Sequence, residues 1–317
     1  MKELCIVVPI FNDGDLARSL CTEIERIFAG FFGAGDLPSN LEVLFIDDGS
    51  TNSSLKSLLE TRSQFPFVRV VSLSRNFGQQ AALTCGYWHS NGRLTAVLDV
   101  DMQDHPKFLP EMIRKMRAEG SAICQGVRKR RRDSVFKRWT SEVFKRVIYR
   151  SIGSRVPANH STLRIFDRKA IEEFRKFGEH GRFVPGIESL LGFKRSYVEV
   201  EHTVGTRPSS YNFRRRLRLA TDAIVIFSEL PMQMIVGVSF LLSIAGICFG
   251  VVIVVQRFMK VEMLPGWASL ISVLLVGFGL IGLCMGVLGF YLVRILREVQ
   301  GRPIFSVDTI YPAAGGE

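Results

Sequence analysis

Two long apolar stretches near the carboxyl terminus restrict what this chain of 317 residues can fold into. Residues 231–255 and residues 268–293 contain no Asp, Glu, Lys or Arg. An α-helix rises about 1.5 Å per residue, so each stretch is long enough to cross the roughly 30 Å hydrocarbon core of a bilayer. We therefore predict two transmembrane helices here, in preference to two buried helices of a large soluble core.

The charges of the chain are distributed unevenly about these stretches. The whole sequence has 41 Lys and Arg against 30 Asp and Glu, which gives a net charge of +11. Residues 231–317 hold only five basic and four acidic residues, so nearly all of the excess lies in the first 230 residues. This distribution predicts a basic domain that meets an anionic partner, followed by a part that lies in the bilayer.

Basic residues that flank the two stretches predict their orientation. Four arginines lie shortly before the first stretch and three lie after the second, whereas the connecting loop contains one Arg and one Lys. The positive-inside rule then places both termini in the cytoplasm. The predicted order is a cytoplasmic α/β domain at 1–210, a juxtamembrane amphipathic helix at 211–230, a transmembrane helix at 231–255, a short external loop at 256–267, a second transmembrane helix at 268–293 and a cytoplasmic tail at 294–317.

The second stretch is also rich in glycine. Gly282 and Gly286 are four residues apart, which would let another helix approach closely. The spacing is compatible with a homo-oligomer held through the transmembrane helices.

Strand-like and helix-like segments alternate over the first 130 residues or so. The predicted strands are Leu4–Phe11, Leu41–Ile46, Val68–Leu73, Leu94–Leu98 and Ala122–Gly126, and the predicted helices are Asp15–Phe28, Ser54–Ser63, Gln79–His89 and Pro106–Arg117. Such alternation is typical of an α/β fold with a doubly wound, mostly parallel sheet. In these sheets ligands bind beyond the carboxyl ends of the strands.

Two pairs of acidic residues fall at those strand ends. Asp47 and Asp48 end one strand, and Asp99 and Asp101 follow another. A spacing of two residues would place Asp99 and Asp101 on the same side of an extended segment. Converging carboxylates repel each other unless a cation or hydrogen-bond donors lie between them, and hard divalent cations take oxygen ligands and bridge to phosphates. The pattern predicts a site for Mg²⁺ or Mn²⁺, with capping of the following helices as the alternative.

A strongly basic stretch follows the last predicted strand. Residues 128–150 contain ten Lys and Arg against two acidic residues, with apolar residues at helical spacing. This pattern predicts an amphipathic helix that lies on the membrane and attracts anionic lipids. A solvated charged segment is the alternative. The two apolar stretches argue against nucleic-acid binding, so we expect no nucleic-acid partner.

Four motifs, in order along the chain, resemble those of glycosyltransferase family 2. They are Ile6–Asn12 (IVVPIFN), Asp47–Ser50 (DDGS), Ser74–Gln79 (SRNFGQ) and Asp99–Asp104 (DVDMQD). Within that family the chain is similar to the polyprenyl-phosphate glycosyltransferases, a group that includes dolichyl-phosphate mannose synthases and undecaprenyl-phosphate aminoarabinose transferases. The two C-terminal apolar stretches and the closing Arg302-Pro303 fit the same group.

The resemblance implies a Rossmann-like GT-A fold for the first domain. It also implies an inverting transfer of a sugar from a nucleotide-sugar donor to a polyprenyl phosphate, at the cytoplasmic face of what we expect to be a bacterial inner membrane. The implied nucleotide-sugar site comprises Pro9, Phe11, Asn12, Asp47, Asp48, Asn76, Asp99 and Asp101. Asp101 and Gln103 form the implied metal site, and Arg128, Arg164 and Arg207 form the implied acceptor-phosphate site. The implied catalytic residues are Asp99, Asp101 and Arg128.

Two positions depart from the pattern of this group. Thr162 stands where many relatives have Asp, so no carboxylate base can be assigned there. A phosphate monoester has a second pKa near 6 and is mostly a dianion at about pH 7, so it is already a nucleophile and needs positioning by Arg instead of a base. Ser210 stands where relatives often have Lys, a phosphate contact for which Arg207 would substitute.

Two other functions are weighed against this one. A processive polysaccharide synthase of the same family usually carries a Gln-x-x-Arg-Trp motif, but the nearest match here, residues 135–139, lacks the Gln, and two spans are few for a polymer channel. A membrane scaffold that binds nucleotide or lipid without turnover would explain Thr162. The Asp99 and Asp101 pair argues against that scaffold.

Overall fold

The computed structural model describes residues 1–33, 35–128, 160–178, 184–201 and 266–314, together with single positions between 235 and 259. The chain divides into two compact units, one formed by Met1–Phe213 with Pro303–Glu317 and the other by Arg214–Arg302. The predicted juxtamembrane helix at 211–230 lies outside the described residues. So do the basic stretch after Arg128 and most of the predicted span at 231–255 and of the loop at 256–267.

The described residues of the first unit form an eight-stranded sheet in the order β7-β5-β6-β4-β1-β2-β3-β8. The strands are β1 Lys2–Ile10, β2 Leu41–Asp47, β3 Val68–Leu73, β4 Gly92–Val97, β5 Ile123–Arg128, β6 His160–Asp167, β7 Arg195–Val200 and β8 Val307–Tyr311. Strands β4, β1, β2 and β3 are parallel neighbours, as are β5 and β7. Strand β6 is antiparallel to its neighbours β4 and β5, and β8 is antiparallel to β3. The predicted α/β fold with a mostly parallel sheet is confirmed, while β6, β7 and β8 were not predicted.

Helices cover both faces of this sheet. They are α1 Ala17–Phe32, α2 Leu37–Asn40, α3 Ser54–Gln64, α4 Gln79–His89, α5 Leu109–Glu119, α6 Arg168–Arg175 and α7 Val184–Leu190. Helices α1, α3, α4 and α5 and the first five strands lie within a few residues of their predicted positions, whereas α2, α6 and α7 were not predicted.

The sequence of β1 shows why the sheet is buried on both sides. Leu4, Ile6 and Val8 pack into one apolar cluster, while Cys5 and Val7 pack into another on the opposite face. All five side chains are fully buried. A near-continuous apolar run is what a parallel strand needs when both faces are covered by helices.

The last strand changes the role of the C-terminal residues. β8 pairs with β3, with Tyr311 opposite Val70 and Val307 opposite Leu73. Residues 294–317 were predicted as a tail, but part of that segment completes the edge of the sheet. The pattern of partly buried and exposed positions along β8 alternates, as expected for an edge strand with one covered face.

The second unit contains helix α8, Trp267–Val299. Several large apolar side chains along it are more than half exposed, including Val273, Phe278 and Leu292. Within the described part of the chain, no helix was found to have both the length and the hydropathy of a membrane span.

Candidate active site

The loops that follow β1, β2 and β4 meet at one edge of the sheet because these strands are adjacent and parallel. The amide of Asp48 donates to the carbonyl oxygen of Ile10 at 2.8 Å, and the amide of Leu98 donates to that of Val7 at 3.1 Å. The three motifs that begin near residues 6, 47 and 99 are thereby brought together, at the edge where ligands of such sheets bind.

The carboxylate of Asp48 organises the loop that carries Asn76. It accepts hydrogen bonds from the amides of Phe77 at 2.7 Å and Gly78 at 2.9 Å, and the residue is only 3% exposed. Burial raises the pKa of Asp48, and the two amide donors oppose that rise. Asp47 is also buried, with Ser72 Oγ as one donor. Both carboxylates therefore accept hydrogen bonds from other groups of the protein, whereas Asn76 is exposed.

Loops after the first three strands are interlocked by short contacts. Asn12 adopts a φ of 62° and accepts a hydrogen bond from the amide of Thr51 at 2.9 Å. Gly49 also has a φ of 62°, and a Cβ there would lie 2.3 Å from the carbonyl carbon of Arg75, so no other residue fits without a shift. The adjoining Phe11 is 43% exposed and Pro9 is partly buried. The aromatic side chain of Phe11 is therefore partly exposed beside these connected loops.

The acidic segment after β4 is a turn, which corrects the prediction of an extended segment. The amide of Met102 donates to the carbonyl oxygen of Asp99 at 3.4 Å, and the amide of Gln103 donates to Asp101 Oδ1 at 3.2 Å. Met102 has a φ of 52°, a conformation that costs an L-residue roughly 1–2 kcal/mol. Strain of this kind is concentrated at functional sites. Asp99 is partly buried and Asp101 is exposed.

The two carboxylates of this turn fit a divalent cation. Burial, reinforced by the charge of Asp101, raises the pKa of Asp99, although the adjacent Thr162 side chain and the charge of Arg164 oppose the rise. Among the described residues, neither carboxylate forms an ion pair with Lys or Arg, and no group of three His, Cys, Asp or Glu residues could hold a metal by itself. Mg²⁺ is usually held by one or two carboxylates, with water and substrate phosphates as its remaining ligands, so this pair suits it.

Asp104 is a functional candidate that the sequence analysis passed over. Its side chain is 1% exposed and accepts hydrogen bonds from Arg128 Nε at 3.3 Å, Arg128 Nη2 at 3.0 Å and Ser161 Oγ at 2.5 Å. Thr162 adds its amide at 3.2 Å and its Oγ1 at 3.1 Å. Burial alone would raise the pKa of Asp104, but these donors outweigh it and hold the pKa below its usual value. The available signal was a third carboxylate in the Asp99–Asp104 motif.

Arg164 is buried and paired within the protein, whereas the resemblance implies that it contacts the acceptor phosphate. It is 4% exposed and forms an ion pair with Glu188, with 3.2 Å between Nε and Oε1. Glu188 also accepts a hydrogen bond from the Tyr87 hydroxyl at 3.0 Å. Arg164 therefore lies inside the domain, with its charge balanced by Glu188, a residue that sequence reasoning missed. Arg207 lies outside the described residues.

Comparisons with known proteins agree with this architecture. The family model described as "Glycosyl transferase family 2" matches residues 5–175. An uncharacterized glycosyltransferase of Bacillus subtilis, YkcC, is 31% identical over 96% of this chain and 93% of its own length. An undecaprenyl-phosphate 4-deoxy-4-formamido-L-arabinose transferase of Klebsiella pneumoniae is 29% identical over 98% of this chain and 94% of its own length.

Among solved structures, mannosyl-3-phosphoglycerate synthase from Rubrobacter xylanophilus superimposes with a TM-score of 0.50 at 14% identity, over 70% of this chain and 72% of that one. At that identity the likeness concerns the fold, which is a mixed α/β fold of the GT-A type. Because the family model covers more than half of the chain and a relative above 30% identity covers nearly all of it, the protein belongs to glycosyltransferase family 2 and is a glycosyltransferase.

Proposed function

We propose that this enzyme transfers a sugar from a nucleotide-sugar donor to the phosphate of a membrane polyprenyl phosphate, with inversion at the sugar. One observation carries the proposal. The relatives named as undecaprenyl-phosphate transferases align with 98% of this chain, so the similarity extends through both apolar stretches as well as the catalytic domain. The acceptor class named for those relatives is lipid-linked, which accounts for the apolar stretches.

The donor site proposed is the loop cluster at the ends of β1, β2 and β4. The exposed ring of Phe11 and the exposed Asn76 offer contacts to the nucleoside, while the buried Asp47 and Asp48 hold the loops in place. Asp101 and Gln103 would hold Mg²⁺ or Mn²⁺, with Asp99 beside them. When bound, that ion would neutralise the charge that develops on the leaving nucleoside diphosphate.

The acceptor site proposed centres on Arg128, the last residue of β5. Its side chain is 34% exposed and lies against Asp104 at the same edge of the sheet as the acidic turn. A lipid phosphate is mostly a dianion at about pH 7, so its oxygen attacks without a general base. Arg128 orients the phosphate through charge-assisted hydrogen bonds. Arg207 would be a further contact.

Replacement of Thr162 by Ala should lower kcat/KM for the lipid acceptor by no more than about tenfold, or about 1.4 kcal/mol. The reason is that the Thr162 hydroxyl donates to Asp104, which keeps its other donors. Replacement of Arg128 by Ala should cost more than Thr162→Ala, because a charge-assisted contact to the acceptor is lost.

Both variants should be measured over about pH 5 to 8, where the rate should fall below about pH 6 as the acceptor gains its second proton. An inactive Thr162→Ala enzyme together with a nearly normal Arg128→Ala enzyme would contradict the dianion mechanism.

Residues 231–255 and 268–293 are the proposed membrane spans, with the basic stretch and the juxtamembrane segment lying on anionic lipid. The exposed apolar side chains of α8 support this placement. A reporter fused after Glu317 should then read as cytoplasmic, and a reporter inserted in the loop 256–267 should read as external, because flanking positive charges are retained inside. An external reading after Glu317 would reverse the proposed topology.

The function itself is tested by a donor screen. Membranes containing the enzyme are incubated with undecaprenyl or dolichyl phosphate and each of a set of nucleotide sugars, and lipid products are identified by mass spectrometry. The proposal expects one sugar on one prenyl phosphate. A polymeric product would favour a processive synthase, and binding of donor or lipid without any product would favour a scaffold.

A further inference from the structure

We propose that Asp104 is a positioning residue of the acceptor site, which holds Arg128 in the orientation that receives the lipid phosphate. This inference rests on the proposed function and adds a residue to it. Asp104 lies at the point where three segments meet, namely the acidic turn, the end of β5 and the start of β6.

The strands at this point are not held together by a regular ladder alone. β5 and β6 pair antiparallel, but their register shifts between Gln125 and Val127, just before β5 ends at Arg128. Asp104 bridges the two strand ends from the third segment, because it accepts from Arg128 on β5 and from Ser161 and Thr162 on β6. A single carboxylate therefore sets the relative position of the groups on both strands.

The contact between Asp104 and Arg128 is of the kind that fixes a long side chain. Nε and Nη2 of the guanidinium donate to the two oxygens of one carboxylate, at 3.3 Å to Oδ1 and 3.0 Å to Oδ2. This paired geometry restricts the planar guanidinium in angle as well as in distance. Without Asp104, the Arg128 side chain would lose its conformational entropy when the phosphate binds. Because Asp104 already holds the guanidinium in place, that entropy cost no longer weakens phosphate binding.

Other roles for Asp104 fit the geometry less well. A general base needs an oxygen within reach of the acceptor, but Asp104 is 1% exposed and both of its oxygens accept from protein donors. A metal ligand needs lone pairs directed at the ion, and Oδ2 already receives donors from Arg128, Ser161 and Thr162. Asp104 therefore acts through its neighbours and does not contact the reacting atoms.

The test is Asp104→Asn, which keeps the size of the side chain and removes its charge. The KM for the lipid acceptor should rise about tenfold or more, while the KM for the nucleotide sugar should stay within about twofold. Arg128→Lys, which keeps the charge but cannot make the paired contact, should reproduce this pattern. Glu172→Gln is the matched control, since it removes the charge of a carboxylate that pairs with Arg168 at 2.7 Å on the surface.

A double-mutant cycle separates positioning from a general structural role. If Asp104 acts through Arg128, the variant with both Asp104→Asn and Arg128→Ala should be no worse than Arg128→Ala alone. Losses that multiply, or equal rises in both KM values, would overturn the inference.

Melting temperatures identify any variant that fails to fold. If Asp104→Asn fails to fold, the test rests on Arg128→Lys, and an unchanged KM for the lipid acceptor in that variant would contradict the inference. A wild-type enzyme that makes no polyprenyl-phosphate sugar with any donor would instead contradict the proposed function.

Discussion

Deletion of residues 303–317 should reduce glycosyl transfer at least about a hundredfold and lower the melting temperature of the protein by on the order of 10 °C. The deletion removes β8, which pairs along β3 at the edge of the sheet. Phe305 and Val307 pack against the same apolar cluster as Phe77, and Arg62 donates to the carbonyl oxygen of Pro312. The C-terminal residues are thus part of the catalytic domain.

The expected loss of stability follows from the buried surface. A fully buried large apolar side chain contributes roughly 1.5–3 kcal/mol, so the partly buried Phe305, Val307 and Tyr311 together contribute on the order of 2–4 kcal/mol. In a domain of this size, each kcal/mol shifts the melting temperature by about 2–4 °C. Typical domains have about 5–15 kcal/mol of stability, so the truncated protein should still fold.

The expected loss of activity has a separate origin in the proposed donor site. The amide of Ser74 donates to the carbonyl oxygen of Ser306 at 3.0 Å, at the start of the loop whose Phe77 and Gly78 amides bind Asp48. Without β8 this loop loses its support on one side, so the exposed Asn76 is no longer held in place. The KM for the nucleotide sugar should therefore rise.

Two matched controls accompany the deletion. Removal of residues 315–317 alone leaves β8 and should have no effect. Phe305→Ala should lower the melting temperature and raise the donor KM, whereas Ile310→Ala on the exposed side of β8, at 47% exposure, should do neither. A truncated enzyme with a normal donor KM would show that the loop does not depend on β8.

Asp101→Ala should lower kcat about 10²–10³-fold, because it removes a ligand of the proposed metal, which would stabilise the leaving diphosphate where charge develops in the transition state. Asp101 is exposed at a strained turn, so its removal should leave the melting temperature nearly unchanged. Addition of excess EDTA to the wild-type enzyme should give a loss of similar size, and Mg²⁺ or Mn²⁺ should restore the rate.

Asp36→Ala is the control for Asp101→Ala, since Asp36 is also exposed but precedes α2, away from the motifs. Turnover that persists in excess EDTA, together with an active Asp101→Ala enzyme, would rule out a metal at this turn. A fall in activity with EDTA but not with Asp101→Ala would move the metal to other ligands.

Much of the site was predictable from local sequence. Asp47, Asp48, Asp99 and Asp101 follow apolar runs that alternate with helical periodicity, and parallel strands bring their carboxyl ends to one edge. The hydrogen bonds that Asp47 and Asp48 accept from Ser72, Phe77 and Gly78 were not predictable, because these donors lie 25 to 30 residues further along the chain.

The strands that the sequence analysis missed lack a clear local pattern. β6 begins with three polar residues and carries the charged Arg164 between Leu163 and Ile165, and Arg164 is buried beside Glu188 of α7. β8 is a five-residue edge strand whose polar residues, Asp308 and Thr309, are adjacent and do not alternate, and more than 230 residues separate it from β3. Neither strand can be identified without knowing the element beside it.

The sequence by itself determined the α/β class, the positions of the first five strands along the chain, the acidic motifs at their ends and the two charge-free stretches. These features depend on the periodicity and composition of short segments. Only the tertiary structure decided that Arg128 meets Asp104, that Arg164 is paired inside the domain and that the last strand returns to β3. Those contacts join residues distant in the chain, and which of them form depends on how strands pair and pack, a choice that local periodicity does not encode.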